Sequence, residues 1–206
     1  MSITNKHRLL LLLLLWLLLP LGETHAQEND SDRLAIAIDY FQDQKYHECL
    51  LLLSKLDKEY QLNPRFRAYL AVCYYYEWNF AEATKIFVDV LPKLTAVAPH
   101  ERSFYLFATG ESFFYQEKYK EARPYYQEMI PLCYLNEKGD AYYKIAFCLI
   151  FEENYVEAYG ALNQSLSYYQ NYRNTEEMQA RIRQIENMQY GCVEKMLQQI
   201  TAPENN

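Results

Sequence analysis

Lys45-Tyr46-His47-Glu48-Cys49 has three near-copies further along the chain: Asn79-Phe80-Ala81-Glu82-Ala83, Lys118-Tyr119-Lys120-Glu121-Ala122 and Asn154-Tyr155-Val156-Glu157-Ala158. Each places an aromatic ring three residues before a small residue, with Glu directly ahead of the small one. The small residues stand at 49, 83, 122 and 158, so the copies recur after 34, 39 and 36 residues. A period in the mid-thirties is the signature of stacked supersecondary units, none of which can bury its apolar face alone. Arrays of this kind present extended surfaces to other proteins and seldom carry chemistry.

Apolar spacing makes each unit a pair of helices. In the second, Leu70, Ala71, Cys73 and Tyr74 form one stripe; after a break at Trp78-Asn79, another runs through Ala83, Ile86, Phe87 and Val90. Pro92 then ends or kinks the helix. Two helices of about a dozen residues joined by a tight turn make a helical hairpin. The hairpins fall at about 31–62, 64–97, 103–134 and 139–170, the first copy being the most degenerate.

The pattern resembles the tetratricopeptide repeat (TPR) family over about 31–170, some two-thirds of the chain. A small residue midway along each first helix, where that family brings the second helix close, is Ala37, Ala71, Gly110 or Ala146. The bulky residue three further on is Tyr40, Tyr74, Phe113 or Leu149. Tyr46, Phe80, Tyr119 and Tyr155 open the second helices; Cys49, Ala83, Ala122 and Ala158 are their close contacts; Leu53, Phe87, Tyr126 and Leu162 follow four later. The resemblance implies an all-α fold, a right-handed α-solenoid of about four hairpins. The chain departs from the family where a tryptophan-like residue is usual, carrying Arg33, Arg67, Leu106 and Tyr142. Its prolines are displaced to Pro64, Pro92 and Pro131, and five extra residues lie between the second and third copies, around Pro92 to Pro99.

Residues 171–200 hold a last helix without the hairpin signature, expected to cap the apolar end of the stack. Asn174 or Thr175 is placed to cap it, with Glu176 and Glu177 in its first turn. Met178, Ile182, Ile185 and Met188 form its stripe, and Gly191 is expected to weaken or bend it. Residues 27–30 and 201–206 are polar and expected to fray.

The first 26 residues read as a secretory signal peptide: a basic Lys6-His7-Arg8, an apolar run from Leu9 to Leu19, then Pro20 and Gly22 before Thr24-His25-Ala26. The run is shorter than the roughly 20 apolar residues that a membrane span requires. The expectation is export, to a periplasm or the medium, of a chain that starts near Gln27 and contains no transmembrane span. The full chain carries a net charge of −7. That acidity argues against nucleic acid, which is bound by a basic face. The five cysteines are odd in number and widely separated, so they read as buried thiols rather than a disulfide framework.

Nothing in the sequence points to catalysis. Past the leader only His47 and His100 remain, no cysteines have metal-ligand spacing, and five glycines leave no phosphate-cradling loop. Glu48, Glu82, Glu121 and Glu157 recur with the turn and read as a solvated face. No enzyme, metal or cofactor is expected.

The TPR resemblance implies that the first helix of each pair lines a concave wall where ligands lie. The corresponding positions are Leu34, Ile38 and Phe41; Ala68, Val72, Tyr75 and Tyr76; Phe107, Glu111, Phe114 and Tyr115; and Tyr143, Phe147, Ile150 and Phe151. Members that hold an acidic chaperone C-terminus use Lys, Asn and Arg there, which this wall lacks. With 21 tyrosines and 10 phenylalanines, more rings are present than the consensus core slots need. Soluble monomers rarely expose apolar patches beyond a few hundred Å², so such a wall implies an occupant. The candidates are an apolar helix or extended peptide of a protein partner, the last helix of this chain, or a second copy in a homo-oligomer. A small-molecule binder is a further alternative.

Overall fold

The four repeated turns adopt one backbone conformation. Gln44, Trp78, Glu117 and Glu153 all occupy the left-handed region, with φ between 59° and 60°. In each, two backbone N–H groups close back onto the preceding helix: Gln44 to Phe41 and Lys45 to Tyr40 in the first turn, Glu153 to Ile150 and Asn154 to Leu149 in the last. This double closure satisfies carbonyls that a helix end leaves open, and glycine is its usual residue. Here bulky residues hold the position instead.

The structure, a computed structural model, describes residues 29–201. The chain divides into residues 1–33, of which 29–33 are described, and a compact unit from Leu34 onward that carries the array. The expected signal peptide and the 202–206 tail lie outside the described residues. Among those described there are nine α-helices and no strand: α1 (Asp30–Gln42), α2 (Tyr46–Tyr60), α3 (Pro64–Tyr76), α4 (Phe80–Val90), α5 (Pro99–Phe114), α6 (Tyr119–Met129), α7 (Lys138–Phe151), α8 (Tyr155–Tyr172) and α9 (Gln179–Thr201). Helices α3/α4, α5/α6 and α7/α8 pair as hairpins, and successive hairpins pack through α2 on α3, α4 on α5, α6 on α7 and α8 on α9. The array is an all-α solenoid. No described helix is long and apolar enough to cross a membrane.

Packing follows the repeat. Ala37, Ala71, Ala146, Cys49, Ala83, Ala122 and Ala158 are all fully buried, as are Leu53, Phe87, Tyr126 and Leu162. Each large side chain so buried contributes about 1.5–3 kcal/mol. All five cysteines are free thiols inside this core. Burial pushes the Cys133 thiol up to about 11 and the Cys148 thiol up to about 12.

Arg67, at a position where the TPR resemblance leads one to expect a large ring, is held by carboxylates on both sides. Its Nε lies 3.4 Å from Asp57 of α2 and its Nη1 bonds Asp89 of α4. The insert after α4 is ordered: Leu91–Lys93 form one 3₁₀ turn, and the Arg102 guanidinium donates to the carbonyls of Leu91 (3.1 Å) and Leu94 (3.0 Å).

One expectation about the last helix is corrected. Thr175 makes no side-chain capping bond, because a 3₁₀ turn (Glu176–Met178) precedes α9. Helix α9 runs on through Gly191 to Thr201, with Ile182, Ile185 and Cys192 buried.

Candidate functional site

Helices α5 and α7 stand one repeat apart and leave a cleft of about 600 Å³ between them. Its apolar floor is Phe104, Phe107 and Met129, and Lys144 and Arg181 reach it from α7 and α9. This volume falls within the range of ligand sites, about 300–1,000 Å³. The Arg181 guanidinium lies 4.2 Å from the ring centroid of Tyr143, a cation–π contact. No carboxylate among the described residues pairs with Arg181, whereas His100 at the opposite rim bonds Glu137 at 3.0 Å.

A buried polar network backs the cleft. The Tyr126 hydroxyl donates to Glu111 at 2.5 Å, and Lys144 Nζ donates to the other carboxylate oxygen at 2.7 Å. Glu111 is only 4% exposed. Burial, then the neighbouring Glu111 carboxylate, pushes the Tyr126 phenol well above its ordinary range. Lys144 Nζ also lies 4.9 Å from the Phe114 centroid.

The residues expected on the wall divide into three sets. Ala68, Val72, Glu111 and Tyr143 are buried, which corrects their assignment to a partner-facing surface. Val72 packs in the core, the Glu111 charge is consumed by Tyr126 and Lys144, and Tyr143 is covered by Arg181. Phe107 alone of the expected residues lines the α5/α7 cleft. The remaining rings shield one another in edge-on and stacked contacts. Phe114 meets Phe147 at 6.2 Å and Phe151 at 6.0 Å, and Phe41 stacks on Tyr69 at 4.3 Å. Tyr75, Tyr76 and Tyr115 gather around Trp78 and Phe80.

A regularity at the turns was not anticipated. The ring opening each second helix stacks on the ring ending the first helix of the next hairpin: Tyr46 on Tyr76 (3.9 Å), Phe80 on Tyr115 (4.7 Å) and Tyr119 on Phe151 (4.3 Å). The series stops at Tyr155, which faces Met188, Gly191 and Cys192 of α9 around a cavity of about 360 Å³. The signal for it was present as aromatics at 46, 80 and 119 and at 76, 115 and 151. Arg181 carried no such signal, since nothing in the last helix announces which residue reaches another hairpin. Among the described residues no cluster of His, Cys, Asp and Glu could hold a metal ion.

No protein-family profile matches the chain, and no curated protein matches it. Solved structures are similar in fold. A MamA protein superposes with a TM-score of 0.58 at 14% identity, over 82% of this chain and 88% of its own. MamA from AMB-1 gives 0.60 at 11% identity, over 86% and 93%. Nearly identical TPR-like repeats from Podosopora anserina give 0.55 at 14%, over 82% and 92%. At these identities the similarity establishes a TPR-like fold.

Proposed function

We propose that this chain is an exported, non-enzymatic interaction module that holds an apolar segment of a protein partner in the cleft between α5 and α7. The cleft carries the reading. It joins an apolar floor of Phe104, Phe107 and Met129 to one unpaired guanidinium, Arg181, at a rim that also carries Glu101, Glu137 and Asp140, which suits a segment with bulky side chains and a backbone carbonyl nearby. Export rests on the basic and apolar run from Lys6 to Leu19. N-terminal sequencing of the protein from its native host is expected to start near Gln27.

Photocrosslinking tests the cleft. A crosslinker at position 104 is expected to attach to one defined apolar segment of another protein, and Arg181→Ala is expected to reduce the yield. A crosslinker at Leu51, an exposed position of α2 (59%), serves as the control. Crosslinks confined to this same chain, or equal at 104 and 51, would overturn the proposal.

A second reading has its own observation. Tyr190, Val193, Leu197 and Ile200 are exposed at helical spacing along α9, between 39% and 79%. Such a stripe suits self-association of two copies. Leu197→Glu is then expected to convert a dimer to a monomer in sedimentation; a monomer before the change would end that reading.

A further inference from the structure

The turn between α3 and α4 builds a second pocket, separate from the cleft. Tyr75, Tyr76, Trp78, Phe80 and Tyr115 line about 190 Å³, and every lining side chain is aromatic. Phe80 and Tyr115 stack nearly parallel, at 10°, while Trp78 leans against each at 6.1 Å. Tyr75 stands edge-on to Tyr76 at 5.1 Å.

Trp78 does not serve the core. It is 75% exposed, and its backbone sits at φ 60°, where a glycine would rest more easily. The other turns share this backbone but carry Gln44, Glu117 and Glu153, so what sets this turn apart is a large ring held in the open.

The lining selects the chemistry of a ligand. It contains no basic side chain, and the neighbouring Lys144, 5.9 Å from the Tyr115 ring, is already paired with Glu111. Among the described residues the hydroxyls of Tyr75 and Tyr115 have no hydrogen-bond partner, and a purely aliphatic guest would leave them dry. A cation meets both surfaces: ring faces attract it within about 6 Å, and phenolic oxygens present lone pairs. The chain already uses this contact next door, where Lys144 Nζ lies 4.9 Å from Phe114 and 5.9 Å from Tyr115. The net charge of −7 favours the approach of cations.

We propose that this five-ring pocket binds an alkylammonium cation, either a free quaternary ammonium or a lysine side chain, methylated or not, of a protein. It is independent of what occupies the α5/α7 cleft.

Calorimetry on the full chain tests it, with choline chloride as the cation and 3,3-dimethylbutan-1-ol as its neutral isostere. Choline is expected to bind saturably, at least about tenfold tighter than the isostere. Trp78→Ala is expected to weaken choline at least about tenfold, and Trp78→Phe to retain most of the binding. Because Trp78 is largely exposed, both variants should keep the circular dichroism and melting temperature of the parent. Equal binding of choline and its isostere, no binding of choline, or an unchanged affinity in Trp78→Ala would each overturn the proposal. A short peptide with trimethyllysine separates the two sources: affinity well above that of choline assigns the pocket to a protein side chain, and equal affinity to a free ammonium compound. Crosslinking at position 104 would stand or fall separately.

Discussion

The third and fourth hairpins solve the same packing problem with the same four parts, at different depths. In the third, Tyr126 of α6 lies against Gly110 of α5, and its hydroxyl meets Glu111, which Lys144 neutralises. In the fourth, Tyr169 of α8 lies against Gly139 of α7, and its hydroxyl meets Asp140, which Arg173 neutralises at 2.6 Å. The acid side chain of the third set is 5% exposed and its cation 21%; in the fourth the figures are 34% and 37%. The chemistry is shared, so the energetic difference between the sets is one of solvent.

The largest effect should come from removing the cations. Lys144→Met leaves the Glu111 carboxylate buried with one hydroxyl for company, a loss of about 3–5 kcal/mol. Arg173→Met leaves Asp140 a third exposed, where pairing is worth about 0–1 kcal/mol. Urea denaturation of both variants measures the gap; equal losses would mean that depth does not control this network. Alkali probes the same depth. Burial raises the phenols of both Tyr126 and Tyr169. The neutral phenol is therefore favoured in the folded state. Its contribution is complete below the unfolded tyrosine value of about 10 and is lost as pH rises beyond it. Absorbance at the tyrosinate band should show these two rings ionising only as the chain unfolds.

The glycines sharpen the comparison. A Cβ on Gly110 would sit 2.8 Å from the Tyr126 ring, and one on Gly139 3.0 Å from the Tyr169 ring. Both rings are pinned at their hydroxyls, so the closer approach at Gly110 sets the difference. Overpacking of about 1–3 kcal/mol then exceeds the about 1 kcal/mol that alanine returns to a helix. Gly110→Ala should destabilise, Gly139→Ala should come near balance, and Gly191→Ala, with nothing within 4 Å, should stabilise by about 0.5–1 kcal/mol. Thermal melts of the three place them in that order, and a Gly110→Ala as stable as the parent would refute the close approach.

What the sequence made legible was governed by the repeat. Small residues and the rings after them recur because each hairpin must bring two helices together at one height, so Ala83, Phe87 and Ala122 could be placed by counting. The wall was read less well, because counting assigns a residue to a helix face and not to a partner. Glu111 has the spacing of a groove residue, yet a tyrosine four residues after Ala122 and a lysine one repeat later claim it. Arg181 reaches the cleft from an element with no periodic tie to it. Trp78 was visible only as a break between helices; that its ring completes a pocket depends on the left-handed turn, which tryptophan gives no hint of adopting.

The smallest effects lie in the turns, where the two hairpins differ by one residue. Glu117 and Glu153 both hold φ 59°, but Lys118 gives α6 no capping bond, whereas the Asn154 side chain accepts from the Glu157 N–H at 3.3 Å. Glycine carries no Cβ penalty in the left-handed region, where other residues lose about 1–2 kcal/mol, offset by its freedom in the unfolded chain. Glu117→Gly and Glu153→Gly should therefore each stabilise, by up to about 1 kcal/mol. Lys118→Asn should add about 0.5 kcal/mol to the third hairpin alone, at the low end for a cap because the Asn154 bond it would copy is long. Asn154→Lys should remove the same amount from the fourth. If the swap at 118 and 154 left both melts unchanged while the glycines raised them, the backbone turn alone would fix these hairpins, and the asparagine caps at 79 and 154 would add nothing to the stack.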